Sequence, residues 1–98
     1  MSCFVYRLMD PLGYDVPAPF YIGISNNPWY RFYSHCHDKC SAAYPLLSFF
    51  MNYGITRDEI LSIYRECRTR REAFDLEYEL VNTTPNLVNR PYKLGRAY

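Results

Sequence analysis

The chain has 98 residues, of which 49% are hydrophobic and 21% charged, and its formal net charge is +1. This length suits one domain with a single core, and the composition excludes a disordered chain. The net charge is too small to identify a nucleic-acid-binding protein, and no run of residues is long and apolar enough to span a membrane. The N-terminus lacks the basic and apolar segments of a secretion signal, so we expect one cytoplasmic domain over residues 1–98.

Two mostly apolar runs, at residues 3–9 and 20–25, predict a pair of β-strands. The ten-residue connection between them contains Pro11 and Gly13, which favour turns, so we expect the strands to pair antiparallel. Gly23 lies within the second run. Since glycine weakens a strand, its presence suggests that a ligand or another part of the backbone approaches closely there.

Asn27 and Pro28 predict the start of the first helix, because asparagine caps helices and proline fits the first helical position. Four apolar residues predict the face that this helix buries: Trp29, Phe32, Tyr33 and Cys36. Arg31 and His35 are one turn apart on a different face, so both side chains could act on one substrate. The alternatives are a surface salt bridge for Arg31 and an ordinary helix-end position for His35.

Three further elements follow. Residues 44–53 predict a second helix that ends at Gly54, residues 60–67 predict a third strand, and residues 69–81 predict a third helix that opens with a capping box. The large apolar side chains of the second helix are assigned to the core: Leu46, Leu47, Phe49 and Phe50.

Glu77 stands on the wrong face of the third helix for a charged residue. It follows Ala73 by four residues and precedes Leu80 by three, so helical geometry turns its carboxylate toward the core. A buried carboxylate is costly unless it is paired or bound to a metal, which leaves a salt bridge with an arginine and a site ligand as alternatives. Mg²⁺ suits such a site, although one glutamate would hold it weakly without substrate.

The remaining arginines and lysines form two local clusters that could hold phosphates or simply make a solvated charged face. One comprises Arg65, Arg68, Arg70 and Arg71, and the other Arg90, Lys93 and Arg96. The cysteines are too scattered for a disulfide framework, so reduced thiols are expected. Cys36, His37 and Cys40 raise the alternative of a zinc site, but no second ligand pair lies at suitable spacing.

The side chains that could take part in a reaction occur in a set order along the chain. Phe4-Val5-Tyr6 stands on the first predicted strand and Tyr21-Ile22-Gly23 on the second, followed by Arg31, His35, Glu77 and Asn89. This set spans almost the whole chain and resembles the GIY-YIG endonuclease family. Phe4 and Val5 stand where the family has glycine and isoleucine, but the tyrosine is retained.

The resemblance also bears on two neighbouring residues of the same types. The spacing from Arg31 favours His35 over His37 as the site histidine. The spacing from Glu77 likewise favours Asn89 over Asn86.

The resemblance implies an α/β (α+β) fold with a three-stranded antiparallel sheet flanked by helices, in agreement with the predicted order of elements. It also implies hydrolysis of DNA phosphodiester bonds with one divalent metal ion, Mg²⁺ or Mn²⁺. Tyr6 would be the general base, assisted by His35, because a free phenol keeps its proton far above neutral pH. Arg31 would stabilise charge on the phosphate.

The other implied roles are supporting ones. Tyr21 would orient water or phosphate, Glu77 would hold the metal, and Asn89 would support the site by hydrogen bonds. A nuclease of this size cuts DNA with little sequence preference, recognises a branch or flap, or forms a homodimer. Selectivity would reside in the loops at 10–19 and 38–43 and in the tail after Asn89. The alternative function is a catalytically silent nucleic-acid-binding or interaction module.

Overall fold

A three-stranded antiparallel sheet organises the molecule, as the sequence predicts. The computed structural model describes residues 2–12 and 18–89. The strands lie in the order β2-β1-β3. In chain order the elements are β1 (Cys3–Asp10), β2 (Ala18–Ser25), α1 (Pro28–His37), α2 (Tyr44–Asn52), α3 (Arg57–Ile60), β3 (Leu61–Cys67) and α4 (Arg70–Thr83).

The register of β1 with its neighbours shifts once on each side. Leu8 pairs with Tyr21 but Met9 pairs with Pro19, so Phe20 is the extra residue of β2. Phe20 and Tyr21 consequently pack against the same apolar cluster, although strict alternation would separate them. The bulge thus turns a core residue and a candidate site residue to one face.

Each face of the sheet has its own apolar cluster. Tyr6, Leu8 and Phe20 pack with side chains of α1, α2 and the segment that follows α2. On the opposite face, Val5 and Ile22 pack with α4. The domain therefore has three layers, with the sheet between α1–α2 and α4.

Both predicted helix caps are confirmed. The Asn27 side-chain oxygen accepts a hydrogen bond from the Tyr30 backbone N–H at 3.1 Å. The Thr69 hydroxyl oxygen accepts one from the Glu72 N–H at 3.1 Å. The reciprocal bond differs from a standard capping box, since the Glu72 carboxylate accepts from the Arg68 N–H at 2.9 Å.

The prediction for the buried face of α1 was right for Phe32 and for Cys36, which is partly buried against the core, and wrong for the other two residues. Trp29 and Tyr33 are 46% and 59% exposed, whereas Pro28, Phe32 and His35 are buried. The spacing 28, 32, 35 also follows one helical face, and it is this face that meets the sheet. Histidine takes the place of an apolar residue there, which hydropathy alone does not reveal.

Two large side chains of the other helices also face solvent, namely Phe49, which was assigned to the core, and Phe74. Phe49 is 47% exposed on α2, and Phe74 is 41% exposed on α4. The short helix α3 was not predicted, because Arg57–Ile60 is a single turn placed directly before β3. No helix among the described residues has the length and apolar character needed to cross a bilayer.

The chain returns to the outer edge of β2 after α4. The Val88 N–H donates to the Phe20 carbonyl at 2.8 Å, and the Asn89 amide nitrogen donates to the Ile22 carbonyl at 2.8 Å. These bonds cover an edge that would otherwise present unpaired backbone groups. They also bring Asn89 beside the strand that carries Tyr21 and Gly23.

Candidate active site

The phenol of Tyr6 lies over the glycine of the neighbouring strand. Tyr6 pairs with Gly23 in the register of β1 and β2, and its side chain is 1% exposed. A Cβ atom at position 23 would lie 2.6 Å from the Tyr6 hydroxyl oxygen and 2.7 Å from the adjoining ring carbon. The close approach predicted at Gly23 is therefore made by a side chain, and only glycine leaves room for it.

His35 completes a bonded pair with Tyr6. Its Nε2 lies 2.9 Å from the Tyr6 hydroxyl oxygen, and the imidazole is 2% exposed. His37, the alternative histidine, is exposed, and its Nδ1 lies 2.8 Å from the Tyr33 carbonyl oxygen. The structure therefore brings His35, and not His37, to Tyr6.

Burial sets the protonation of this pair. The pKa of His35 is lowered to about 4, chiefly by removal from water and also by the nearby positive charge of Arg31, while Asp38 acts in the opposite direction. Burial also raises the pKa of the Tyr6 phenol well above its ordinary value, with Tyr21 and Glu77 acting in the same direction. At neutral pH, His35 is therefore uncharged and Tyr6 keeps its proton.

Arg31 acts on the same phenol. Its guanidinium lowers the pKa of Tyr6 both by charge and by hydrogen bonding, although less than burial raises it. The Arg31 side chain is exposed on α1, one turn before the buried His35. Helix α1 thus carries both the buried, neutral imidazole of His35 and the exposed, positively charged guanidinium of Arg31.

Tyr21 encloses the pair from β2. Its ring stacks on Tyr6 at 6.3 Å between centroids with an interplanar angle of 25°, and it meets His35 edge to face at 4.7 Å. Such aromatic contacts hold the rings in a defined arrangement. Tyr6, Tyr21 and His35 therefore form one packed group of three rings, in which the Tyr6 hydroxyl bonds to the imidazole.

Glu77 approaches from the helix on the opposite face of the sheet. It is 7% exposed, which confirms that its carboxylate turns inward from α4. Its charge raises the pKa of Tyr6, so the carboxylate lies within electrostatic range of the phenol. Groups from both faces of the sheet thus act on one hydroxyl, which is held over the edge strand β2.

Asn89 supports this edge from outside. Besides the bond of its amide nitrogen to the Ile22 carbonyl, its Oδ1 is buried and has no partner among residues 2–12 and 18–89. Asn86, the alternative asparagine, is exposed and has a φ of 65° in the turn after α4. The geometry therefore gives Asn89 a place beside the site and gives Asn86 a turn position.

The other sequence motifs lie elsewhere. Within the described ranges, no group of three or more His, Cys, Asp or Glu side chains is placed to hold a metal, including the region of Cys36, His37 and Cys40. The side chains of the first arginine cluster are exposed, and Arg71 pairs with Asp75 at 3.2 Å. The second cluster, at residues 90–96, and residues 13–17 of the first loop lie outside the described residues.

Sequence reasoning missed one contact of the site. The Ser41 hydroxyl oxygen lies 2.6 Å from His35 Nδ1, so the imidazole is bonded through both of its nitrogen atoms. The only signal in the sequence is a serine six residues after the histidine, in the loop between α1 and α2. That loop was expected to determine which DNA the protein selects. No local sequence pattern predicts that one of its side chains contacts the buried ring of His35.

Comparison with known proteins identifies the family of the chain. The family model described as the GIY-YIG catalytic domain matches residues 2–92. No curated protein and no solved structure matched the chain in the same comparisons. The matched segment includes every element of the fold and all six candidate residues, and the chain therefore belongs to the GIY-YIG family of endonuclease domains.

Proposed function

We propose that this chain is a divalent-metal-dependent endonuclease that hydrolyses phosphodiester bonds in DNA. The observation that carries the proposal is the convergence of four kinds of group on one buried phenol. An imidazole bonds to Tyr6, a guanidinium and a carboxylate act on its charge, and a second tyrosine stacks on its ring. A merely structural tyrosine needs only one hydrogen-bond partner.

Tyr6 and His35 together would remove the proton from the attacking water. Because the pKa of Tyr6 is raised, a preformed phenolate is not available at neutral pH. The phenol instead accepts a proton from water as it donates its own proton to His35 Nε2, 2.9 Å away. The water oxygen forms a bond to phosphorus, the bond to one sugar oxygen breaks, and that oxygen takes up a proton from solvent, while His35 releases to solvent the proton that it received.

Arg31 and Tyr21 would position the phosphate. The exposed guanidinium of Arg31 is accessible to a DNA phosphate while it remains close enough to influence the Tyr6 hydroxyl. Negative charge that develops on the phosphate oxygens is stabilised by such a fixed cation. Tyr21 is half-buried, so its hydroxyl can orient water or phosphate while its ring stays packed.

Glu77 is the group that would hold the metal ion. A single buried carboxylate fits Mg²⁺ or Mn²⁺, since such ions use one or two protein carboxylates and fill their other positions with water and phosphate oxygens. When bound, the ion polarises the scissile phosphate and stabilises the leaving oxygen. Because Glu77 is the one buried carboxylate among residues 2–12 and 18–89, we expect the free protein to bind the ion weakly.

Replacement of Glu77 by alanine tests the proposal. Plasmid DNA is incubated with the wild-type chain in the presence of Mg²⁺, Mn²⁺ or a chelator, and nicked circles are measured on a gel. We expect metal-dependent nicking by the wild type and a loss of more than about 100-fold in Glu77→Ala, a size typical of removing a group that stabilises charge in the transition state.

Glu79 provides the matched control, because it lies on the same helix but is exposed. Glu79→Ala is expected to nick DNA at the wild-type rate. Nicking that persists in Glu77→Ala, or that is insensitive to the chelator, would contradict the metal assignment. A wild-type chain that binds DNA without cutting it would favour the silent binding module instead.

A further inference from the structure

The loop between α1 and α2 supplies a hydroxyl to the buried face of the site. Ser41 Oγ lies 2.6 Å from His35 Nδ1, while His35 Nε2 lies 2.9 Å from the Tyr6 hydroxyl. Ser41, His35 and Tyr6 therefore form a continuous chain of hydrogen bonds from the half-exposed loop to the candidate base. The imidazole is the central link in this chain.

Backbone bonds fix Ser41 in this position. Its N–H donates to the Asp38 carbonyl at 2.9 Å, and its carbonyl accepts from the Tyr44 N–H at 3.1 Å. The Ala43 N–H donates to Ser41 Oγ at 3.2 Å, which occupies one acceptor position of the hydroxyl. The loop is thus organised so that the hydroxyl points at the ring.

Two directions of the proton chain are compatible with these distances. In one, His35 Nδ1–H donates to Ser41 and the Tyr6 hydroxyl donates to Nε2. In the other, Ser41 donates to Nδ1 and Nε2–H donates to Tyr6. Only the first leaves a lone pair on Nε2 that can receive the proton of Tyr6.

Burial favours the first direction. Tyr6 is 1% exposed, so its O–H needs a partner inside the site, and Nε2 lies within hydrogen-bond distance. Ser41 is only partly buried, so its own O–H can donate to water when its oxygen accepts from His35 and Ala43. The hydroxyl with access to solvent is therefore the one that can turn its proton away from the ring.

We infer that Ser41 is a positioning residue that holds His35 in the Nδ1–H tautomer and so makes Nε2 the acceptor for the Tyr6 proton. The inference rests on the proposed function, because the tautomer matters only if Tyr6 and His35 move a proton. Ser41 does not touch the substrate. It acts through the imidazole, as groups behind a catalytic histidine do in other hydrolases.

The tautomer can be measured without any cleavage. Long-range ¹H–¹⁵N NMR spectra of the labelled chain at pH 7.5 distinguish Nδ1–H from Nε2–H imidazoles. The chain has two histidines, and His37→Gln leaves His35 alone for assignment. In the wild type, His37 serves as an internal reference, because its Nδ1 lies 2.8 Å from the Tyr33 carbonyl oxygen, which can only accept, so Nδ1 carries the hydrogen of this bond.

We expect His35 to be the Nδ1–H tautomer in the wild type. In Ser41→Ala it becomes a mixture or shifts to Nε2–H, while the His37 signals do not move. Ser41→Thr keeps a hydroxyl and is expected to keep the tautomer. An Nε2–H wild-type His35, or a His35 unchanged by Ser41→Ala, would overturn the inference.

Single-turnover cleavage of plasmid DNA connects the tautomer to the reaction. We expect the cleavage rate to fall about 10-fold or more in Ser41→Ala, to recover in Ser41→Thr, and to stay unchanged in Ser34→Ala, a control on α1. DNA affinity is expected to be equal in all four proteins. A tautomer change without a rate change, or a rate change without a tautomer change, would also overturn the inference.

Failure of the proposed function would look different. A wild-type chain that cut no DNA under any metal condition would remove the endonuclease assignment and, with it, the catalytic part of this inference. The NMR comparison would still decide whether Ser41 sets the tautomer of His35. DNA cleavage by the wild type therefore tests the endonuclease assignment, and the NMR comparison tests the role of Ser41 separately.

Discussion

At the scale of single residues, Gly23 and Tyr6 depend on each other. The phenol occupies the volume that a side chain at position 23 would fill. This is a steric requirement, since the extended strand backbone is open to any residue. At Gly54 the requirement for glycine comes from the backbone conformation instead. There is open space around this residue, but its φ of +78° is one that other residues rarely adopt.

Alanine at these two positions should therefore have different effects. Gly23→Ala forces the buried Tyr6 ring to move, so we expect DNA nicking to fall by more than about 10-fold and stability by about 1–3 kcal/mol. Gly54→Ala should cost about 1–2 kcal/mol through its backbone conformation alone and leave nicking intact. Urea unfolding and nicking assays compare the two. Wild-type nicking by Gly23→Ala would show that the ring position is not required.

His35 should make the fold sensitive to mild acid. Its folded pKa of about 4 lies below the ordinary value of 6.5, because of burial and the charge of Arg31, only partly opposed by Asp38. Below pH 6.5, His35 therefore binds a proton in the unfolded chain, whereas in the folded chain it stays neutral until about pH 4. The free energy of unfolding falls as the pH is lowered from 6.5 to 4. The full loss is roughly 3 kcal/mol, at about 1.4 kcal/mol per pH unit.

Urea unfolding at a series of pH values measures this loss. His35→Gln removes the titrating ring and should flatten the change between pH 6.5 and 4, even if it lowers stability overall. His37→Gln, which changes an exposed histidine, should keep the wild-type slope. The prediction fails if the slope of the His35 variant equals that of the wild type.

At the scale of elements, the segment after α4 acts as a short cover for the edge of β2. One backbone bond and one side-chain bond join it to Phe20 and Ile22. A side-chain amide can take this place because it offers the same N–H donor as a backbone peptide group. The edge strand that bears Tyr21 and Gly23 is thereby held on both sides.

Removing the Asn89 amide tests the importance of this cover. Asn89→Ala leaves the Ile22 carbonyl without its partner, and we expect a loss of about 1 kcal/mol in unfolding free energy together with a lower nicking rate. Asn86→Gly is the control, since glycine readily adopts the positive φ of that exposed turn residue. If Asn89→Ala matched this control in both assays, the segment would have no role in the site.

At the scale of the whole molecule, the site is built by the layered fold. α1 brings Arg31 and His35 from one face of the sheet, and α4 brings Glu77 from the other. Their common target is the phenol over β2, an edge strand. Groups from both layers thus influence the protonation of one hydroxyl, His35 and Arg31 by hydrogen bonding and Glu77 by its charge.

Much of this could be predicted from local patterns. Caps at Asn27 and Thr69 fixed two helix starts, apolar runs gave the strands, and helical spacing turned Glu77 inward. What failed depended on distant parts of the chain. Burial of His35 in place of Trp29 reflects where the sheet lies, and no local pattern shows that Ser41 meets the ring.

The most direct test of the whole account is the rate at which Tyr6→Phe cleaves DNA. This change keeps the ring over Gly23 and removes only the hydroxyl on which His35, Arg31 and Glu77 act. Single-turnover plasmid nicking with Mg²⁺ should fall by more than about 100-fold, while Tyr64→Phe, at a more exposed strand position, keeps the wild-type rate. Nicking at the wild-type rate by a folded Tyr6→Phe chain would contradict the account.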